Sequence, residues 1–502
     1  MCGKVTLVGA GPGDPGLLTV KGLAAIREAD CIIYDRLAAP ELLNEAKPDC
    51  EKIYVGKENH HHTMPQEEIN HLLVEKAHQH TKVVRLKGGD VYVFGRGGEE
   101  GIYLKEHGIP FSVVPGVSSA LAGPAYAGIP ITHRGLATGF RVITAHNQKD
   151  ETTDIDFTSM TNPKETLVFL MGLSKVGEIA DGLLKAGREK STTAAVISHA
   201  TTAEQRSCVG TLETIAEQTK NALLTSPALI VVGDVVSLRE QQMLNFFEQQ
   251  PLFGKRYLVP VINSSKEADG SGGFFHGANK RTNCRRSLGE LLRASGAQVD
   301  EVTVGQIQTI SCVFTKEELQ EVKWLIFSSR NGVTEFFENL ATAGLDIRSL
   351  ANSKIAAIGI QTANVLSEYG IRADFVSKKQ HGEAFAEELL ERISKEDTVW
   401  YLSAAVSSGT IEKGLIENCN LVTVPVYENR EVPVVCEWGE YDGIFITSAS
   451  SASRLFQTNK TNKSLPVVYS IGPKSTERLR ELGVTEIIEA REPSYEAMIQ
   501  LL

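Results

Sequence analysis

The stretch Val5-Thr6-Leu7-Val8-Gly9-Ala10-Gly11-Pro12-Gly13-Asp14-Pro15-Gly16-Leu17-Leu18-Thr19 constrains this 502-residue chain more than any other. A β-branched apolar run meets a glycine- and proline-rich turn, and helical spacing begins at Leu17. Strand, tight loop and helix in this order build the sheet edge where α/β proteins hold their ligands. Gly11, Gly13 and Gly16 satisfy G-x-G-x-x-G, and Asp35 follows the strand-like Cys31–Tyr34 about 20 residues on, as a dinucleotide fingerprint asks. The residues between the glycines oppose that ligand. A pyrophosphate needs backbone N–H groups at a helix N-terminus, and Pro12 and Pro15 each remove one. Asp14 adds negative charge where a phosphate would sit. The loop suits a ligand without phosphate, one with a cation or hydroxyls for Asp14 to meet. A strand–helix turn with no ligand is the plainer alternative.

The chain alternates strand-like and helical patterns, which predicts an α/β fold. Strands are expected at Val5–Val8, Cys31–Tyr34, Lys52–Val55, Val83–Leu86, Ser112–Val114 and Val142–Thr144, with helices such as Gln66–Gln79 and Gly98–His107. A second α/β stretch follows, with strands at Thr166–Met171, Ala194–Ser198 and Ala228–Gly233, and ends near Arg239. Residues 241–254, Gln-rich with Phe246, Phe247, Pro251 and Gly254, read as a linker, and residues 264–283 as an exposed loop. Beyond the linker runs an internal repeat. Trp324–Val333 echoes Gly443–Ala452, and Ile355–Ala363 echoes Val467–Ser475. Two such lobes facing each other would form a cleft whose helix N-termini suit carboxylates.

A net charge of -11 argues against nucleic acid as the main partner, since phosphate binding needs a basic face. The eight cysteines are scattered without C-x-x-C, the usage of a reducing compartment. No apolar run approaches the roughly 18–20 residues that span a bilayer, and the N-terminus lacks a signal peptide's charged start and apolar core. The expectation is a cytoplasmic protein with no membrane partner.

The densest chemical signal is Val83-Val84-Arg85-Leu86-Lys87-Gly88-Gly89-Asp90-Val91-Tyr92-Val93-Phe94-Gly95-Arg96-Gly97-Gly98-Glu99-Glu100. A strand enters a double glycine, an acid and a further Gly pair that opens a helix. Glycines here let backbone approach a flat ligand. A helix cap would account for Asp90 alone, not for so many glycines and cations. His60-His61-His62 is not a metal site, because consecutive residues cannot all face one ion, and no metal is expected.

These residues, with Tyr34–Leu37, Val55-Gly56-Lys57, Pro65–Asn70, Val114–Ser119, Ala125–Arg134 and Ser226–Gly233, resemble the uroporphyrinogen-III C-methyltransferases of the tetrapyrrole methylase family over roughly residues 3–240. The resemblance implies a two-domain α/β fold, S-adenosylmethionine as cofactor, methyl transfer at C2 and C7 to give precorrin-2, and a homodimer. It implies a cofactor site of Pro12, Gly88, Gly89, Asp90, Val93, Ser118, Ser119, Met171 and Ala200, the last standing where the family usually has Gly. Asp35 becomes the candidate base or substrate anchor, and Lys57 a second catalytic position. For a substrate rich in carboxylates, Arg36, Arg85, Lys87, Arg96, Arg134 and Arg141 are reasonable partners.

The C-terminal half resembles uroporphyrinogen-III synthases through Pro251–Arg256, Ser328–Val333, Ile358–Ala363, Val424–Tyr427, Ile446–Ser448 and Ile471–Ser475. The resemblance implies a two-lobed α/β fold that cyclises hydroxymethylbilane without a cofactor, with Tyr427 catalytic and Ser329, Thr362, Thr447, Ser448 and Ser475 binding substrate. Pro260-Val261 and the turn Ser403–Gly409 depart from the family by lacking expected cations. The domain expectation is residues 1–240, divided at about 145, then the 241–254 linker, then 255–502. The lobes are expected at about 255–303 plus 428–502 and at about 304–427. The functional expectation is a bifunctional enzyme. Its rivals are a methyltransferase with a non-catalytic C-terminal tetrapyrrole-binding or dimerising module, and an NAD-dependent oxidoreductase.

Overall fold

The computed structural model describes residues 2–37, 39–47, 49–56, 64–145, 155–240, 244–264, 287–379, 381–407, 409–459 and 465–502. Lys57, His60-His61-His62 and nearly all of the expected 264–283 loop lie outside them.

The first sheet contains β1 (Lys4–Gly9), β2 (Cys31–Tyr34), β3 (Glu51–Tyr54), β4 (Lys82–Lys87) and β5 (Phe111–Val114). Their order is β3-β2-β4-β1-β5 and every pairing is parallel. Parallel strands buried on both faces need apolar residues on both, and Val5, Leu7, Val8, Ile32, Ile33, Val84 and Leu86 supply them. The helix Gln66–Gln79 falls where its pattern places it, burying Ile69, Leu73 and Ala77 at helical spacing. This strand order brings the loops that leave β1, β4, β2 and β5 together at one edge.

The second sheet contains β6 (Gly139–Thr144), β7 (Glu165–Leu170), β8 (Thr193–Ser198), β9 (Arg206–Thr211) and β10 (Ala228–Val232), in the order β6-β7-β10-β8-β9. Only β6 and β7 run parallel. The expected division at about 145 therefore falls one strand late. β6 precedes it in sequence yet pairs residue for residue with β7, from Gly139↔Glu165 to Thr144↔Leu170. The sequence reading lacked β9, a half-exposed edge strand of Arg, Ser, Cys, Val, Gly and Thr without an apolar run.

The expected linker is not a loose tether. Phe246 and Phe247 pack on Tyr126 at ring distances of 5.4 and 4.7 Å, and Phe247 reaches Phe253 at 5.4 Å. Glu248 pairs with Arg239 at 2.6 Å, both largely buried. Aromatic burial and a screened ion pair dock residues 244–253 against the preceding sheet's helices.

The third sheet has ten strands: β11 (Arg256–Ser264), β12 (Gln298–Thr309), β13 (Trp324–Phe327), β14 (Lys354–Ala357), β15 (Phe375–Val376), β16 (Thr398–Ala404), β17 (Asn420–Glu431), β18 (Gly443–Ile446), β19 (Val467–Ser470) and β20 (Ile487–Glu489). Their order is β15-β14-β13-β16-β17-β12-β11-β18-β19-β20. Two parallel five-stranded halves meet at one antiparallel seam, Gly305–Thr309 against Tyr427–Glu431. β12 and β17 are long enough to serve both halves. The repeat read from sequence is structural: Ser329 and Ser448 cap the helices Arg330–Thr342 and Ala449–Thr458, while Gly359 and Gly472 open the helices Ile360–Glu368 and Pro473–Glu481.

Candidate functional site

In the N-terminal half the loops meet through glycine. Gly11 and Gly89 exchange backbone hydrogen bonds, Gly11 N–H to Gly89 O at 3.2 Å and Gly89 N–H to Gly11 O at 2.6 Å. A methyl group on Gly9 would lie 2.5 Å from the Gly116 nitrogen, and one on Gly116 would lie 2.3 Å from Gly89 O. One on Gly88 would lie 2.3 Å from Leu37 Cβ, so the Asp35–Leu37 turn also packs here. Asp90 staples these loops: one carboxylate oxygen accepts from the N–H groups of Tyr92 and Val93, the other from Gly116 N–H at 3.0 Å. Ser118 is buried and caps the helix Ser119–Tyr126. Gly88, Gly89, Asp90 and the Ser118-Ser119 turn thus sit side by side. Gly89 has φ +67° and open space where a side chain would project. Tyr92, Val93 and Phe94 stand on the β4 loop with 58%, 40% and 43% of their surface exposed, an apolar ledge of the kind that marks a binding surface. The family resemblance implies Val93 there, but not its neighbours Tyr92 and Phe94. Met171, directly after β7, is also exposed and has φ 58°. Pro12 lies in the β1 loop, where a methyl on the next residue, Gly13, would lie 3.3 Å from Ala200 O. The two sheets' loops touch there.

Asp14 corrects the sequence reading. Its carboxylate accepts from Gly16 N–H at 2.7 Å and from the Tyr126 hydroxyl at 2.6 Å. It caps the short turn Pro15–Leu17 rather than awaiting a ligand cation. The same geometry turns the loop against a dinucleotide, because the chain's own carboxylate occupies the N–H group a phosphate would need. The Tyr126 phenol is held well above its ordinary value by burial and by Asp14.

Arg85 and Lys87 are likewise not free for substrate carboxylates. Both are buried, and both meet Glu100, which is fully enclosed: Arg85 Nε at 3.2 Å and Lys87 Nζ at 2.8 Å from the same oxygen. Gln66 donates to that oxygen at 3.2 Å. Burial, then the charge of Arg85, lowers the Lys87 pKa. The outer guanidinium nitrogen of Arg85 reaches Asp35 at 3.2 Å, while the other Asp35 oxygen accepts from Leu37 N–H. Asp35 is thereby fixed at the mouth of a buried charge chain running Asp35, Arg85, Glu100, Lys87. Glu100, which closes the Val83–Glu100 motif and carries no role in the sequence analysis, lies in the first turn of the helix Gly97–Glu106 and joins the two cations. Arg96 is paired with Glu99 at 2.7 Å and Arg141 with Glu165 at 3.2 Å. Arg36 and Arg134 are exposed and have no ion pair among the described residues.

In the C-terminal half a cavity of about 570 Å³ is lined by Ser328, Tyr401, Tyr427, His381, Thr410 and, from the other lobe, Lys474, among others. The Tyr427 hydroxyl lies 3.0 Å from Ser329 Oγ, which also accepts from Gly332 N–H. Burial raises the Tyr427 phenol, the Ser329 hydrogen bond opposes this, and Glu335 adds to it. Thr362 and Ser475 are buried in the first turns after Gly359 and Gly472. Thr447 and Ser448 follow β18, and Ser448 caps the next helix. None of these four lies in the cavity wall. The Ser403–Gly409 turn contributes Ala404, Val406 and Ser407 to the wall, hydroxyl and apolar groups in place of cations. Tyr401, His381 and Lys474 were absent from the residues expected; only the adjacency of β13 and β16, Ile326↔Tyr401, brings Tyr401 beside Ser328.

Two other places gather candidate groups without forming a site. Cys31, Glu51 and His80 gather within 4.8 Å, but the Lys76 ammonium occupies Glu51 at 2.7 Å and burial pushes the Cys31 thiol up to about 12. A cavity of about 390 Å³ lies between the halves, where Lys255 and Arg256 already hold Asp442 and Asp300.

Residues 4–216 match the Tetrapyrrole (Corrin/Porphyrin) Methylases, and residues 286–500 match Uroporphyrinogen-III synthase HemD. The porphyrin biosynthesis protein HemD of Ruminiclostridium josui is 37% identical over 514 residues, covering 100% of this chain and 97% of that protein. The chain belongs to the tetrapyrrole methylases, fused to a uroporphyrinogen-III synthase. The uroporphyrinogen-III C-methyltransferase of Methanocaldococcus jannaschii is 50% identical over 244 residues, 48% of this chain and 100% of that one. Among solved structures, the uroporphyrin-III C-methyl transferase from Thermus thermophilus complexed with S-adenyl homocysteine is 43% identical over 47% of this chain and 100% of that chain, with a TM-score of 0.41. The methylase half carries the glycine loops and the charge chain, and the synthase half carries the tyrosine-lined cavity. No helix among the described residues is long and apolar enough to cross a membrane.

Proposed function

We propose that the synthase half cyclises hydroxymethylbilane to uroporphyrinogen III and the methylase half methylates that product at C2 and C7, giving precorrin-2. The observation that carries this reading is the presence of both family matches in one chain, with a relative similar from end to end. The product of one half is the substrate of the other.

S-adenosylmethionine, when bound, supplies the electrophilic methyl group. The loop residues fit such a ligand: an open glycine at Gly89, capped helix ends without a spare anion site, and exposed apolar side chains at Val93 and Met171. Pro12, Gly88, Gly89, Asp90, Ser118, Ser119 and Ala200 complete the assignment. These loops hold the ligand and orient the pyrrole carbon that attacks it, which is where alignment lowers the barrier. Asp35, steered by Arg85, anchors a pyrrole N–H or accepts the proton released after attack. Lys57, outside the described residues, remains a second catalytic assignment. Arg36 and Arg134, exposed at loop ends, meet substrate carboxylates, while Arg85 and Lys87 act through Asp35 and Glu100.

In the synthase half no cofactor is invoked. Tyr427, kept protonated by burial, donates a hydrogen bond to the hydroxyl that leaves the linear substrate. Ser329, Thr362, Thr447, Ser448 and Ser475 offer hydroxyls and helix N-termini to carboxylates. The division between lobes falls within the long strands β12 and β17. A homodimer formed through the methylase half and a cytoplasmic location complete the proposal.

The test supplies the full chain with hydroxymethylbilane, first alone and then with S-adenosylmethionine. Type III ring is expected in the first reaction and a dimethylated product in the second. Type I ring alone, the spontaneous product, would leave the C-terminal half as a binding or dimerising module. Because burial raises Tyr427 above the ordinary 10.0, the synthase rate should hold as pH rises until beyond that value; a loss of kcat/KM between pH 7 and 9 would place the titrating donor elsewhere.

A further inference from the structure

The inter-lobe cavity holds two tyrosines seated on consecutive serines. Ser328 Oγ lies 2.8 Å from the Tyr401 hydroxyl, and Ser329 Oγ lies 3.0 Å from the Tyr427 hydroxyl. Tyr401 and Tyr427 are both buried and both line the cavity, as does Ser328. The two phenols stand on neighbouring parallel strands, β16 and β17, where Tyr401 pairs with Thr423 and Tyr427 with Ala404, three residues further along.

A pair of hydroxyls carries two O–H protons, and the bond between them uses one. The second proton needs an acceptor, since a buried donor left unmade is costly. For Ser328 and Tyr401 no other partner is present among the described residues, and the cavity is the space both adjoin. Burial raises the Tyr401 phenol, with Ser328 opposing, so it stays a donor through neutral pH.

Packing alone does not ask for this arrangement. The repeat places Ser448 where Ser329 stands, yet Ser448 bonds only to its own helix, through Ser450 and Ser451. In that lobe Tyr469 stacks on Phe445 at 4.6 Å, in the core. Among the described residues of the cavity wall, the hydroxyl pair comes from one lobe, and the other contributes Lys474. The turn after β16 brings no cation to the wall, and among the described residues Lys474 is its only Lys or Arg side chain.

We infer that Tyr401 is a second substrate-contacting phenol of the synthase cleft, forming with Tyr427 a two-point hydrogen-bond clamp on the linear tetrapyrrole, with Lys474 across the cavity for a substrate carboxylate. The inference rests on the synthase reading. It assigns to neutral donors a grip that cations would otherwise supply.

The test uses the full-length chain on hydroxymethylbilane without S-adenosylmethionine, measuring kcat, KM and the ratio of type III to type I ring. Tyr401→Phe removes one hydroxyl and keeps the ring that packs. Its kcat/KM is expected to fall about tenfold, with thermal unfolding unchanged. Adding Tyr427→Phe should cost less than the product of the two single losses, as for groups acting on one ligand. Ser328→Ala leaves the phenol in place and should lose less than Tyr401→Phe. Tyr401→Phe with kcat and KM within twofold of wild type overturns the inference. So does a parallel loss of activity and melting temperature in Tyr401→Phe and Ser328→Ala, which would make the pair a packing element. A wild-type chain giving only type I ring overturns the synthase reading itself, before any variant is compared.

Discussion

The two halves face acidic tetrapyrroles with opposite materials. The methylase half buries its charges: Glu100 is sealed beneath Arg85 and Lys87, and only Asp35 reaches the loop edge. The synthase half lines its cavity with hydroxyls from Ser328, Tyr401, Tyr427 and Ser407, and among the described residues Lys474 brings the one ammonium. Their glycines differ as well. Gly9, Gly89 and Gly116 stand backbone against backbone, whereas Gly472, at the matching strand-to-helix turn of the synthase, has open room. A site that must orient one carbon toward one methyl is held by sterics and paired charge. A cleft that must receive a long flexible chain is held by helix ends and hydroxyls.

The strongest test of this contrast is Glu100→Ala. It leaves two buried cations without their shared anion, and losing one partner of such a group costs about 3–5 kcal/mol. Urea unfolding should show the methylase transition shifted and the synthase transition in place. A shift under about 1 kcal/mol would mean that water replaces the carboxylate and that the charges are not sealed.

Gly116→Ala comes next. Its methyl would enter within 2.3 Å of Gly89 O, a backbone atom that cannot swing away. Overpacking of this kind costs about 1–3 kcal/mol, and titration calorimetry with S-adenosylmethionine should report at least tenfold weaker binding. Unchanged affinity would separate the loop contact from the cofactor site.

The docking of residues 244–253 on the methylase half responds to acid. Burial works against ionised Glu248, but hydrogen bonds from Arg239 and Gln205 outweigh it and lower its pKa below the ordinary 4.5. The unfolded chain then takes up the proton first as pH falls. The contribution of the pair is complete above 4.5 and is lost as pH drops through the folded value. Glu248→Gln should cost about 1–2 kcal/mol at pH 7 and much less at pH 3, followed by urea midpoints at the two pH values. Equal costs would assign the docking to the packing of Phe246 and Phe247 on Tyr126.

The smallest effect is expected at Gly472→Ala. The residue has extended backbone at φ 166°, and its methyl would approach nothing nearer than Pro493 at 4.0 Å. Stability should stay within about 0.5 kcal/mol of wild type. A larger loss would show that the synthase turn is as tight as the methylase one.

Much of this was legible without coordinates. Five of the six early strands stand within a residue or two of their patterns, because apolar alternation and glycine punctuation are local signals. The β1 loop, the Gly88-Gly89-Asp90 turn and the synthase repeat were visible for the same reason. Reading failed where the partner is distant in sequence. Asp14 looked exposed to a ligand until Tyr126, on a far helix, took its carboxylate. Arg85 looked like a substrate contact until Glu100 enclosed it.

By itself the sequence determined an α/β chain in two enzyme-like halves, the glycine loops that form the methylase edge, and the unsuitability of the first loop for phosphate. The tertiary structure alone decided which charges are sealed, which strand belongs to which sheet, and that Tyr401 stands with Tyr427 at one cavity. The physical reason lies in the sheets. Residue types and their spacing dictate local conformation, whereas parallel pairing sets side by side strands that the chain visits far apart, and only that adjacency tells a buried partner from a free one.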